Sequence, residues 1–82
     1  MGNYVRILEE VEAVRATESN IEELRKLSSK VQKITPIRGK NSYYIVYGIC
    51  EVLWEGDWLI RHKSGRLEIK SNRNFLMEYE PK

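Results

Sequence analysis

Two side chains stand out for reactive chemistry because each occurs once: Cys50 and His62. A thiol beside an imidazole becomes an activated nucleophile when a further group orients the base. If Glu55-Gly56-Asp57 turns a hairpin, the register about Gly56 sets Cys50 opposite His62 and Trp54 opposite Trp58. The thiol and imidazole then meet, but no orienting group is marked. A chain of 82 residues also has little room for a substrate pocket beside its core. The expected role of the pair is structural, and the chain is expected not to be an enzyme. One Cys and one His do not complete a structural zinc site, so no metal and no cofactor is expected. A lone thiol forms no internal disulfide and suits a reducing cytosol.

Glu55 and Asp57 are close enough in sequence for paired-carboxylate chemistry, which needs environments that split their pKa values. Flanking Gly56, they read instead as turn residues, with Asp57 bonding the local backbone. Arg38-Gly39-Lys40 lacks the length and following helix of a phosphate loop. It belongs, however, to an uneven charge pattern. Residues 25–50 carry Arg25, Lys26, Lys30, Lys33, Arg38 and Lys40 with no acid, inside a chain of net charge +2. Arg38 and Lys40 are therefore anion-binding candidates, set against the plainer reading of a basic helix end followed by a loop. Tyr43, Tyr44, Tyr47, Trp54 and Trp58 supply faces on which bases stack in single-strand recognition. Alternation puts Tyr43 and Tyr47 on one side of a strand and Tyr44 on the other, so one set must face the core.

The elements that carry these residues follow from pattern. Tyr4, Ile7, Leu8, Val11 and Val14 fit a helical stripe, while Val11, Ala13 and Arg15 alternate as a strand does. Ser19 or Asn20 opens a helix with Glu22 and Glu23 in its first turn and Arg25, Lys26 and Lys30 toward its end. Ile21, Leu24 and Leu27 form its apolar face, and it should stop near Ser29. Val31 to Thr35 is a short strand ended by Pro36. Then Tyr43–Tyr47, Cys50–Trp54, Trp58–His62 and Arg66–Lys70 form a meander, turning at Gly48, at 55–57 and at Gly65. Asn72 caps a helical turn over Phe75 and Leu76, and the tail at Tyr79 pairs along an edge. The longest uncharged run is Asn41 to Cys50, far short of the roughly 20 apolar residues of a membrane span. No signal peptide is read in residues 1–20, so the expected location is the cytoplasm.

Val11-Glu12-Ala13-Val14, Thr17 and Asn20-Ile21-Glu22-Glu23 are followed by Gly56-Asp57-Trp58-Leu59-Ile60-Arg61, Gly65, Phe75 and Tyr79-Glu80-Pro81. With these residues the chain resembles a widespread group of small phage- and prophage-encoded proteins of unassigned function. The resemblance is weakest over residues 33–49. Where the group has a proline before its first strand, this chain has Leu8. Where the group has Pro-Cys-Lys-Pro, this chain reads Ile69-Lys70-Ser71-Asn72, so that cysteine's role does not transfer. The resemblance implies a strand at about Glu10 to Ala16 and a viral setting inside a host cell. It implies no chemistry.

The expected fold is a single α+β domain over residues 1–82. It has a mostly antiparallel sheet of four to five strands, one main helix on it, and a short C-terminal helical turn. The helix supplies Ile21, Leu24 and Leu27 to the core; Val46, Val52, Leu59, Ile60, Leu67 and Ile69 come from the sheet. Trp54, Asp57, Trp58, Arg61 and Lys63 cluster about one hairpin and are the expected partner-binding residues, since Trp, Tyr and Arg anchor interfaces. The expected function is a phage accessory protein that binds and inhibits a host defence protein, CRISPR effectors being one target class. Two other readings stand beside it. One is a homodimeric sponge that holds a nucleotide signal on Arg61, Lys63 or Arg38 with a tryptophan on the base. The other is a nucleic-acid-binding protein.

Overall fold

The computed structural model describes residues 2–6, 9–35 and 42–81. Arg38 and Lys40 lie outside the described residues. Strands β1 (Gly2–Arg6) and β2 (Glu9–Arg15) lead into helix α1 (Ile21–Leu27). Then follow β3 (Val31–Ile34), β4 (Tyr43–Val46), β5 (Glu51–Trp54), β6 (Trp58–Arg61) and β7 (Leu67–Lys70). Helix α2 (Asn72–Glu78) and a final short strand β8 (Glu80–Pro81) close the chain.

The fold is α+β with antiparallel pairing, as expected, but the strands divide between two sheets. One has five strands in the order β7-β6-β2-β1-β8, and the other has three in the order β3-β4-β5. The strand expected near Glu10 to Ala16 is β2. Its helical look has a physical source. β2 is central, and both of its faces are buried: Val11 and Ala13 on one side, Val14 on the other. A strand buried on both faces loses the clean alternation that marks a strand in sequence. β8 pairs with β1 through Tyr4↔Pro81 and Val5↔Glu80, the edge pairing expected of the tail.

The large sheet is the middle layer. On one face, Val14 and Leu59 join Leu24 and Leu27 of α1 and Val31, Tyr44, Val46 and Leu53 of the small sheet. On the other, Val11, Ala13 and Ile60 pack under Phe75 and Tyr79, with Trp58 beside them. Each fully buried aliphatic side chain here is worth about 1.5–3 kcal/mol of transfer free energy. Helix α1 ends at Leu27, earlier than expected, where the Ser28 N–H donates to Leu24 O and the chain turns extended. Asn20 is its N-cap by position but bonds backward instead of capping. Its Oδ1 accepts from Thr17 N–H at 2.8 Å and its Nδ2 donates to Arg15 O at 2.7 Å. Helix α2 is longer than the expected single turn. Ser71, not Asn72, caps it, accepting from Asn74 N–H. Phe75 is buried under it as expected, but Leu76 is 63% exposed.

The segment 55–57 is the main correction. It does turn, with Asp57 N–H donating to Trp54 O at 3.0 Å. The flanking strands then diverge: β5 pairs with β4, and β6 pairs with β2 and β7. Gly56 N–H donates to Ala16 O and Ala16 N–H to Asp57 O, both at 2.8 Å, and Arg15 Nε donates to Gly56 O at 3.1 Å. These bonds stitch the turn to the end of β2, so it works as the crossing from one sheet to the other. Cys50 does not face His62 across a hairpin, and Trp54 does not face Trp58. Cys50 is exposed in the Tyr47–Cys50 turn, the turn expected at Gly48, and holds a positive φ of 52° there. His62 is buried at the end of β6.

Gly56 holds φ at +93°. A Cβ there would have ordinary space, 3.6 Å from Arg15 Nη2, so the cost of adding one is conformational. Gly56→Ala is expected to lower stability by about 1–2 kcal/mol, read as a shift of the urea midpoint without a change of slope. An unchanged midpoint would mean that the crossing relaxes.

Candidate functional site

The three strands of the small sheet alternate, so one set of side chains enters the core and the other faces out. Val31, Tyr44, Val46 and Leu53 go in. The outer set falls into two rows by register: Gln32–Ile45–Val52 and Ile34–Tyr43–Trp54. Neither row contains a charged residue, and five of the six are apolar or aromatic. Trp54 is 51% exposed and Val52 40%; Ile34, Tyr43 and Ile45 are half-buried. The Tyr43 and Trp54 rings lie 5.0 Å apart at 49°. Tyr47, 47% exposed, opens the turn that follows β4, where its N–H donates to Lys30 O. An antiparallel sheet with one free face normally turns polar residues to water. This one turns out a contiguous aromatic and aliphatic face, and such patches mark interaction surfaces.

The fold also accounts for the edges of this sheet. Asp57 Oδ2 accepts from Trp54 N–H at 3.3 Å while Asp57 N–H donates to Trp54 O, so the end of β5 is closed by its own turn. On β3, Arg25 Nε donates to Val31 O at 3.0 Å. Both edges are thus partly occupied by local groups, a common guard against strand addition.

Of the residues expected to bind a partner, Trp54 belongs to this face and Asp57 supports it. Trp58 does not. It packs parallel to Phe75 (centroids 3.9 Å apart, 7° between planes), and its Nε1–H donates to Asn72 Oδ1 at 2.8 Å. Arg61 is committed inward: it pairs with Glu12 and donates to the carbonyls of Lys26 and Leu27 at the end of α1. Lys63 is exposed in the turn after β6. Ile34, Ile45 and Val52 were not expected at a site, Val52 having been assigned to the core. The alternation of β3, β4 and β5 carries the signal that finds them, once β4 and β5 are paired through the 47–50 turn.

Beside β6 lies a groove of about 560 Å³, lined by Glu10, Glu12, Arg61, His62 and Lys63 among others. Its two carboxylates oppose an anionic ligand, and its arginine is already paired with Glu12. Among the described residues no cluster of three or more His, Cys, Asp or Glu is arranged to hold a metal ion. No described helix is long and apolar enough to cross a membrane.

A line of polar contacts ties α2 to the large sheet. His62 Nε2 lies 2.8 Å from Glu68 Oε1, Lys70 Nζ is 3.5 Å from Glu68 Oε2, and Lys70 Nζ is 2.6 Å from Glu78 Oε2. Burial pushes the Glu68 carboxyl up, but the His62 hydrogen bond and the Lys70 charge outweigh it and leave its pKa below 4.5. The Glu78 bond holds Lys70 above 10.5, against the opposing effect of burial. A depressed carboxylate stabilises the fold fully above its unfolded value, and that contribution disappears as pH falls through the lower folded value. The advantage of wild type over Glu68→Gln is therefore expected to shrink as pH falls from about 5 toward 3, measured by urea unfolding across that range. An advantage that grew on acidification would contradict this network. Lys70 behaves in the opposite sense: its contribution is complete below pH 10.5 and is lost only above its raised folded pKa.

No family model, curated protein or solved structure matches the chain.

Proposed function

We propose that this chain is a non-enzymatic binding protein whose working surface is the outer face of the small sheet, and that its partner is a protein. The observation that carries the reading is the uncharged face made by Ile34, Tyr43, Ile45, Val52 and Trp54 on a sheet otherwise packed into the core. Interfaces of this kind are depleted of charge at the centre and rich in aromatic residues. The phage resemblance extends the proposal to a class of partner: a host defence protein, held and inhibited by occupation of one of its surfaces.

Nucleic acid fits less well. Phosphate recognition needs cations to spare, and several here are spent on the protein's own carbonyls. Arg15 bonds Gly56 O, Arg25 bonds Val31 O, Lys33 bonds Glu18 O at 2.6 Å, and Arg61 bonds the end of α1. The nucleotide-sponge reading loses Arg61 in the same way and keeps Lys63 beside two carboxylates. The test is retention of proteins from a bacterial lysate on immobilised wild type, Trp54→Ser and Met77→Ser. Met77, 76% exposed on α2, controls for general surface stickiness. A protein retained by wild type and Met77→Ser but not by Trp54→Ser supports the reading. Retention equal in all three, or retention of nucleic acid alone, contradicts it.

A further inference from the structure

Resting on that reading, we infer that the outer face of the small sheet receives a single amphipathic helix of its protein partner, laid across β3, β4 and β5. Three features of the sheet select this occupant.

The first is area. Three strands spaced about 4.8 Å apart, each four residues long, make a platform about 14 Å wide and 13 Å long. Its projected area is about 200 Å². A stable pair of globular surfaces needs about 800 Å² on each partner. The face is therefore too small to hold a second copy of this chain by itself. It does match one helix, whose diameter with side chains is about 10–12 Å and which advances 5.4 Å per turn. Two to three turns span it.

The second is the state of the edges. An extended peptide would bind such a sheet by adding a strand, drawing its affinity from main-chain hydrogen bonds. At β5 the Trp54 N–H and C=O are taken by Asp57, and at β3 the Val31 carbonyl is taken by Arg25. An added strand would have to displace these local bonds, whereas on the face side chains and not backbone groups make the contact.

The third is the chemistry of the two rows. Gln32–Ile45–Val52 and Ile34–Tyr43–Trp54 form a charge-free band with its largest side chain, Trp54, at one corner. The matching surface is a helix stripe with apolar residues at i, i+3, i+4 and i+7 and its charges on the far side. The molecule itself uses the same solution on its large sheet. There Phe75 and Tyr79, four apart on α2 and at its end, cover Val11, Ala13 and Ile60.

The experiment compares two displayed libraries of 14-residue peptides selected on the purified protein. One is an amphipathic helical scaffold randomised at i, i+3, i+4 and i+7. The other has the same composition held extended by interspersed prolines. Trp54→Ser and Ile45→Thr serve as counter-targets, and sedimentation of the unliganded protein is run alongside. The expected result is enrichment of the helical library on wild type, with selected peptides losing at least tenfold in affinity on either variant. Enrichment of the extended library alone, lost on Trp54→Ser, overturns the helix while leaving a protein-binding face in place. A concentration-dependent dimer abolished by Trp54→Ser assigns the face to a second copy and also overturns it. Failure of both libraries, or helical binders indifferent to both substitutions, overturns it as well, and the lysate experiment then decides separately whether the face binds protein at all. Matched urea midpoints for the variants exclude unfolding as the cause of lost binding.

Discussion

Phe75→Ala is expected to cost about 3–5 kcal/mol of stability, enough to unfold much of a domain this small. Phe75 is fully buried and sits in a stack of three rings. Trp58 lies 3.9 Å away on one side, and Tyr79 lies 4.9 Å away at 16° on the other. Truncation removes the transfer free energy of the ring and leaves a cavity that two rigid aromatics cannot collapse into. The same substitution loosens α2, a two-turn helix too short to persist without the surface it packs on. Urea unfolding followed by tryptophan fluorescence measures the loss. A cost below about 1 kcal/mol would mean that α2 is not part of the cooperative unit.

Trp54→Ser is expected to do the opposite: stability within about 0.5 kcal/mol of wild type, because half of the indole is already in water, and partner affinity down about 100-fold. A loss of about 100-fold corresponds to roughly 2.7 kcal/mol, the range of an interface hot spot. Titration calorimetry against whichever protein the lysate experiment identifies, with a parallel unfolding curve, checks both halves. A large stability loss with unchanged affinity would place Trp54 in the fold and remove it from the interface.

The two tryptophans also show what the sequence conveys and where it stops. They are four residues apart, on either side of a glycine-containing turn between two apolar runs. Every local signal there is that of a hairpin, and the turn itself is present. What separates the strands is non-local: the bonds of Gly56 and Asp57 to Ala16, and the place β2 offers β6 beside it. No window of sequence around 55–57 contains that information. Misplacing this one crossing merges two sheets into one, puts Val52 in the core, and joins Cys50 to His62. Element identity was far easier to read. Helix α1 declares itself through Leu24 and Leu27 with acids before and bases after. β4 is recognisable from its aromatic and β-branched residues, and the turn at Gly65 from the glycine, which has φ +91°. The half of the site formed by Tyr43 and Trp54 was visible as aromatic residues. The half formed by Ile34, Ile45 and Val52 depends on register, which follows from pairing and not from composition.

Fluorotryptophan labelling offers the most direct test of the binding face, because the chain has two tryptophans in opposite settings. Trp54 stands on the outer face of the small sheet, and Trp58 is stacked on Phe75 beneath α2 with its N–H bonded to Asn72. Each resonance is assigned from the spectrum of the corresponding Trp→Phe variant, and the retained partner protein is then titrated in. The account predicts that the Trp54 fluorine resonance shifts or broadens in proportion to occupancy while Trp58 stays in place. Movement of Trp58 with a stationary Trp54 would put the interface on the other side of the large sheet and contradict the account.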